Sequence, residues 1–338
     1  MKRTMTTPDY LRLVASLDNL DRSIVSLLQA DGRMPFSRIA REVGVTEKTA
    51  RTRVLDLIEQ RVMQITAVTD PSVLGYGSAA LLCMTNRPDR PASEIARQLQ
   101  NIPSIDYVVV SASHFSLFAE VLCRDRAALQ ATIENEVGKI DGIQTIEIVP
   151  YLSLHYQLAH FAAAQNKAPS ETGVRPREID GMDVRIIRSL SEDGRKPFLQ
   201  VAEELGVSEG QVRLRFKNLS DTGTVSVIAL INPMSLEFRS MAWVGINVAA
   251  GHSVKDVADA LARLANTTYI VICAGRYDIL TEFICQTDRE LLDVIDQSVR
   301  SLQGVARLEV SIYSNLFYKR LSTIRDEAIS DQQERAGA

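Results

Sequence analysis

Residues 31–47 read DGRMPFSRIAREVGVTE and residues 193–209 read DGRKPFLQVAEELGVSE, with 10 of 17 pairs identical. The offset of 162 positions holds without a gap from 18–155 onto 180–317. Tyr107 meets Tyr269, Cys123 meets Cys285, Gly142 meets Gly304 and Tyr151 meets Tyr313. A period this long describes a duplicated multi-element module, not a solenoid repeat. Any site can therefore be read twice, and differences between the copies become informative.

Around the quoted stretch the spacing predicts three helices per copy. Leu20, Ile24, Val25 and Leu28 keep helical spacing, and Asp31-Gly32-Arg33 breaks that helix. A second helix is expected over about Ser37–Val43, a turn at Gly44-Val45, and a third helix from Thr46, a good N-cap, to about Arg61. Ala40 lies four residues before Gly44 and Ala50 six after it; Ala202, Gly206 and Val212 stand at matching places in the second copy. A small residue lets two helices cross closely, glycine takes the turn, and an apolar residue on the next helix seals the core, which is the pattern of a helix-turn-helix.

The third helix offers Thr46, Lys48, Thr49, Arg51, Thr52 and Arg53, and its counterpart Ser208, Gln211, Arg213, Arg215 and Lys217. Such a helix can enter the major groove of duplex DNA, with Arg on guanine edges or phosphates and Thr, Ser or Gln as further donors. A plain three-helix bundle with a solvated third helix would show the same short pattern once. Its recurrence, each time joined to the same downstream module, favours DNA binding. Residues 18–61 hold eight basic and seven acidic side chains, and residues 180–223 hold seven and eight. Phosphate contacts dominate affinity, so the first copy is expected to bind more strongly.

Beyond a short strand at Ile65–Thr69, ended by Asp70-Pro71, the pattern changes. Strands are expected at Ala79–Thr85, Ile105–Ala112, Leu117–Cys123 and Gln144–Tyr156, with helices at Ser93–Gln100 and Asp125–Lys139. The order βαββαβ implies a ferredoxin-like sandwich with an antiparallel sheet. The second copy repeats this from Ser240 to Tyr318. The resulting division is a leader (1–17, with a short helix around Tyr10–Leu17), a helix-turn-helix domain (18–70), a ferredoxin-like domain (71–160), a mostly polar linker (161–178), a second helix-turn-helix domain (179–232), a second ferredoxin-like domain (233–320) and a polar tail (321–338).

Between two strands of the second copy stands Gly275-Arg276-Tyr277-Asp278. Glycine permits close approach to the backbone, Arg276 can pair with a carboxylate, and Asp278 with an ammonium group or a backbone N–H. That chemistry suits a small zwitterion, although the same residues also make an ordinary hairpin turn. The first copy reads Ser113-His114-Phe115-Ser116 there and has neither the glycine nor the aspartate.

The 338 residues suggest two or more domains, and 46% apolar residues suffice for proper cores. The sequence contains no run of 18 apolar residues, and Met1-Lys2-Arg3-Thr4 is not followed by an apolar segment; a cytoplasmic location is the default expectation. A net charge of −4 argues against bulk attraction to polyanions but leaves room for a local basic surface. Cys83, Cys123, Cys273 and Cys285 lie in apolar stretches without CxxC spacing and read as reduced core thiols. His114, His155, His160 and His252 are not spaced as metal pairs, so neither metal nor cofactor is expected.

Helix-turn-helix, short strand and βαββαβ with a Gly-x-Tyr-Asp turn resemble the Lrp/AsnC (feast/famine) transcriptional regulators. The residues that carry the resemblance are Asp180 to Asp183, Glu192 to Arg195, Ala202 to Ser208, Arg213, Arg215 and Gly275 to Asp278. The resemblance implies an α+β chain: a winged helix-turn-helix plus a ferredoxin-like ligand-binding and oligomerisation (RAM-type) domain, each present twice in tandem. It further implies duplex DNA as partner, an amino-acid effector near the Gly275–Asp278 turn, and homo-oligomers, here a dimer or tetramer of chains mimicking larger assemblies; no catalysis is implied. Siroheme decarboxylases share the architecture, but where they carry an arginine-rich segment and an aromatic strand motif this chain has Ile65 to Val68, Val227 to Leu230 and His114 to Phe118. A third possibility is a ligand sensor that acts through protein contacts.

Overall fold

The structure, a computed structural model, describes residues 17–60, 62–157, 179–231 and 238–318. The expected leader helix, linker and tail lie, Leu17 apart, outside the described residues. The first copy runs α1 (Asn19–Ala30), α2 (Phe36–Val43), α3 (Glu47–Glu59), β1 (Met63–Val68), β2 (Ser78–Asn86), α4 (Ala92–Leu99), β3 (Ile105–Ser111), β4 (Leu117–Cys123), α5 (Arg126–Asn135) and β5 (Ile143–Gln157). The second runs α6 (Gly181–Glu192), α7 (Phe198–Leu205), α8 (Glu209–Asp221), β6 (Ser226–Ile231), β7 (Ser240–Val248), α9 (Val254–Leu261), β8 (Thr267–Cys273), β9 (Ile279–Cys285), α10 (Asp288–Asp293) and β10 (Val305–Tyr318). The helix expected over Asp125–Lys139 is shorter: α5 stops at Asn135 and a 3-10 turn covers Val137–Lys139.

Local chemistry sets the helix ends. Asp18 and Asp180 cap α1 and α6 by accepting from the backbone N–H of Asp21 and Asp183. Gly44 and Gly206 end α2 and α7 at φ 74° and 69°, a left-handed conformation that side chains resist. The next amides, Val45 and Val207, then return to the carbonyls of Ala40 and Ala202 at 2.9 and 3.0 Å. That closes the tight turn of each helix-turn-helix.

The two helical heads form one body. β1 and β6 pair antiparallel from Met63↔Ile231 to Val68↔Ser226, so each head gives one strand to a shared ladder. A common core joins Ile24, Val25 and Leu28 of the first head to Ile186, Ile187 and Leu190 of the second. The Asp-Gly-Arg turns cross over this ladder. The Gly32 amide donates to the Val227 carbonyl at 2.8 Å, and the Gly194 amide to the Ile65 carbonyl at 2.9 Å. Arg33 reaches the carbonyls of Gly194 and Lys196 and lies 4.1 Å over the Phe198 ring. Arg195 does the same to Gly32, Met34 and Phe36. The motif that is most similar between the copies is thus the clasp between them.

Below the heads, the strands do not remain two separate sandwiches. They close into one eight-stranded antiparallel barrel of order β10-β3-β4-β2-β5-β8-β9-β7. The halves are joined by β5 on β8 (Tyr151↔Cys273) and β10 on β3 (Leu316↔Val109), two seams related by the repeat. Alternation along each strand explains the nearly continuous apolar runs. In β2, Ala80, Leu82 and Met84 face α4 and α5, while Leu81 and Cys83 face the barrel interior. All four cysteines are free and buried, as read from the sequence. Burial raises each thiol, to about 12 for Cys273 and Cys285, so they remain protonated at neutral pH.

Candidate nucleic-acid interface and effector turn

The third helix of each head starts with a side-chain cap. Thr46 Oγ1 accepts from the Thr49 amide at 3.1 Å, and the two hydroxyls lie 2.8 Å apart. Ser208 and Gln211 form a reciprocal capping box. Four of the polar residues singled out in the sequence therefore fix where the helix begins. Lys48, Arg51 and Thr52 are exposed, and their i, i+3, i+4 spacing puts them on one face of α3. Arg51 lies 5.1 Å over the Phe36 ring. Its counterpart Arg213 lies 5.4 Å over Phe198 and pairs with Glu209. Lys217 pairs with Asp221 one turn on.

Arg53 and Arg215, also singled out as DNA contacts, turn the other way. Arg53 Nη1 lies 2.9 Å from Asp18 and 3.1 Å from Asp21. Arg215 Nη1 lies 2.7 Å from Asp180 and 2.8 Å from Asp183. Both tie the third helix to the cap of the first within one head. Asp21 is buried, which raises its pKa against the pull of Arg53. A groove-reading role for this pair would require breaking those bonds.

The Gly275–Asp278 turn is also occupied by the protein's own groups. Gly275 sits at φ 105°, and a side chain there would meet open space. Arg276 Nη2 lies 3.0 Å from Glu309, Nη1 lies 3.2 Å from Glu147 of the first half, and Nε donates to the Tyr277 hydroxyl at 3.0 Å. Asp278 Oδ2 accepts from the Val248 amide at 2.8 Å, one of the two partners its chemistry suggested. The Tyr277 ring is buried against Gly245, where a Cβ would fall inside 3.0 Å of ring atoms. In the first copy, hydroxyls close the turn instead: Ser111 Oγ donates to Ser113 Oγ and Ser113 Oγ to the Phe115 carbonyl.

Sequence reading missed a cluster inside the barrel. Glu120 accepts from the hydroxyls of Tyr151 and Tyr269, both at 3.0 Å. By the repeat, Glu282 accepts from Tyr107 at 2.7 Å and from Tyr313. Each carboxylate thus holds one tyrosine from either half. Thr268 adds a third donor to Glu282 at 2.6 Å, where the first copy has Asp106. Trp243 stands edge-on between Tyr107 and Tyr269, with ring centroids 6.0 and 5.9 Å away. The signal was present: a glutamate identical in both copies, in register with barrel-facing Phe118 and Leu280. Among the described residues no cluster of three or more His, Cys, Asp or Glu could hold a metal ion, and no helix is long and apolar enough to cross a membrane.

Comparison with known proteins follows the same division. Residues 17–58 and 179–220 match the AsnC-type helix-turn-helix domain, and residues 83–159 and 238–324 match the C-terminal dimeric alpha+beta barrel domain. An uncharacterized HTH-type transcriptional regulator of Pyrococcus abyssi is 34% identical over 132 residues, covering 39% of this chain and 83% of its own length. The HTH-type transcriptional regulator LrpA of Pyrococcus horikoshii is 30% identical over 131 residues, 38% of this chain and 92% of its own. Across 95% of this chain, the solved structure of the siroheme decarboxylase NirDL superposes over its whole length with a TM-score of 0.53 and 15% identity, a likeness of fold alone. Two helix-turn-helix and two barrel-domain matches on one uninterrupted repeat make this chain a member of the Lrp/AsnC family of transcriptional regulators, with two family units in tandem.

Proposed function

We propose that the chain binds specific duplex DNA as a cytoplasmic regulator and that a small effector, an amino acid, tunes this binding. The observation that carries the reading is the clasped pair of heads, each with its third helix capped at a fixed place and its basic side chains, Lys48, Arg51 and Arg213 among them, exposed to solvent. Heads held in this way suit half-sites about one helical turn, ~34 Å, apart. Chains would assemble as dimers or tetramers through the outer surfaces of the barrels.

The effector would be held at Gly275, Arg276, Tyr277 and Asp278. Its carboxylate would displace Glu147 or Glu309 from Arg276, and the second half would keep the site while the serine-closed turn of the first half would not. Differential affinity of the effector for two assembly states would then set DNA affinity. The decisive experiment is a footprint on the region upstream of the protein's own gene, with and without an amino-acid panel. Protection that amino acids alter supports the reading, and absence of any protected segment removes it.

A further inference from the structure

We infer that the two heads read different half-sites, so that the operator is not a palindrome. This rests on the DNA-binding reading above. Two separate copies of one chain related by a dyad present identical faces and so favour inverted-repeat DNA. Here the clasp of Arg33, Arg195 and the β1–β6 ladder keeps the dyad arrangement inside a single chain, while the two faces have drifted apart.

The drift is concentrated on exposed positions of the helix-turn-helix pair. Arg38, Arg41 and Lys48 of the first head become Gln200, Glu203 and Gly210 in the second, and all six are exposed. The one basic position kept on the third-helix face, Arg51 and Arg213, is free of ion pairs in the first head among the described residues and paired with Glu209 in the second. Two further exchanges replace hydroxyls by hydrocarbon: Ser37 becomes Leu199 and Thr52 becomes Leu214, which are 55% and 61% exposed. Arg213, the residue before Leu214, stacks on Phe198, the residue before Leu199, so the second and third helices of this head meet beside both exchanges.

Cations on phosphates release counterions and set the salt dependence of binding, whereas an apolar side chain in the major groove meets the thymine methyl group. The first half-site therefore carries the salt-dependent affinity. The second is read through Leu199 and Leu214 as a thymine-containing step, with phosphate contact left to Arg213 and to Lys217, which stands where the first head has Leu55, each already paired with a carboxylate of its own helix. The clasp delivers this second head to DNA whenever the first is bound, so weak contacts suffice there.

The test is selection of the full chain on a randomised 30-base-pair duplex pool, followed by salt titration on the winning duplex. A consensus with two unlike halves is expected, one of them enriched in thymine. Lys48→Ala with Arg51→Ala should reduce the logarithmic salt slope by about 2 and affinity at least tenfold, while Arg213→Ala reduces the slope by less than 1. Leu214→Thr, which restores the first-head residue, should relax the thymine preference without changing the slope. An inverted-repeat consensus, or equal slope losses from the two heads, overturns the inference and leaves the regulator reading intact. No enrichment of any sequence removes the regulator reading itself.

Discussion

The Tyr269 hydroxyl, from the second half of the chain, donates at 3.0 Å to the Glu120 carboxylate of the first half inside the closed barrel. Desolvation dominates at Glu120 and lifts its pKa to about 7, against the tyrosine bonds that favour the charged form. A raised acid binds its proton in the fold but not in the unfolded chain between pH 4.5 and 7. Its contribution to stability is therefore complete below about 4.5 and is lost as pH rises through about 7. At neutral pH the loss amounts to roughly 3 kcal/mol for a shift of this size. Glu120→Gln should flatten this part of the curve of melting temperature against pH. An unchanged slope between pH 5 and 7.5 would show that Glu120 is ionised throughout.

Gln29 is fully buried in the first head, and neither its amide nitrogen nor its oxygen has a hydrogen-bond partner among the described residues. The repeat places Ser191 at this position, and its hydroxyl donates to the carbonyls of Ala67 and Ile187. An unsatisfied buried amide costs on the order of 1–3 kcal/mol. Gln29→Met, similar in volume and without amide atoms, should raise the urea midpoint by a corresponding amount at unchanged slope. A drop in stability would mean that water satisfies the amide.

Much of this architecture was legible because each signal was local. Gly44 and Gly206, the caps Thr46 and Ser208, and the alternation in β2 are read directly from residue type and spacing. The closure of the two βαββαβ units into one barrel was not legible, because Tyr151 meets Cys273 across more than a hundred residues and either strand could equally well have stood at a sheet edge. For the same reason residue type alone does not separate Arg33, Arg51 and Arg53, three cations of the first head. Only the tertiary neighbours separate them: one clasps the other head, one ties its own helix, and Arg51 alone of the three remains on the exposed face.

That separation gives a test by comparison. Arg51→Ala should weaken DNA binding and leave thermal stability within about 0.5 kcal/mol, as for an exposed side chain. Arg53→Ala removes the links to Asp18 and Asp21, worth about 1 kcal/mol for a half-exposed pair, and should lower the melting temperature of the heads. Paired measurements of unfolding and DNA affinity decide the matter. Equal effects of both variants on affinity with none on stability would put Arg53 in the groove as well.

Gly32 and Gly194 are required by the clasp. A Cβ on Gly32 would meet the Val227 carbonyl oxygen and the Ile228 amide nitrogen at 2.9 Å, and one on Gly194 would meet the Thr66 amide nitrogen at the same distance. Backbone cannot yield as a flexible side chain does. Gly194→Ala should cost about 1–3 kcal/mol and speed hydrogen exchange along β1 and β6, while Gly210→Ala on α8, whose Cβ would meet only Ser208 Oγ at 4.0 Å, should be neutral or stabilising. If the two alanines behave alike, the heads are not held by these turns.

Arg276 reaches Glu309 of its own half and Glu147 of the other, so the proposed effector site begins filled by two carboxylates. An amino-acid carboxylate binding there must compete with them. Removing one competitor should therefore tighten binding, whereas removing a genuine ligand-contacting group should loosen it. Glu147→Gln is the cleaner choice, because Glu147 is the more exposed of the two and Glu309 still anchors the guanidinium. The expected outcome is a larger amino-acid-induced thermal shift in Glu147→Gln than in the wild type, and none in Arg276→Gln. A wild-type shift that persists in Arg276→Gln would place the effector elsewhere. A shift that shrinks in Glu147→Gln would make this carboxylate part of the site, facing the effector's ammonium group in place of Asp278, whose oxygen is already committed to the Val248 amide.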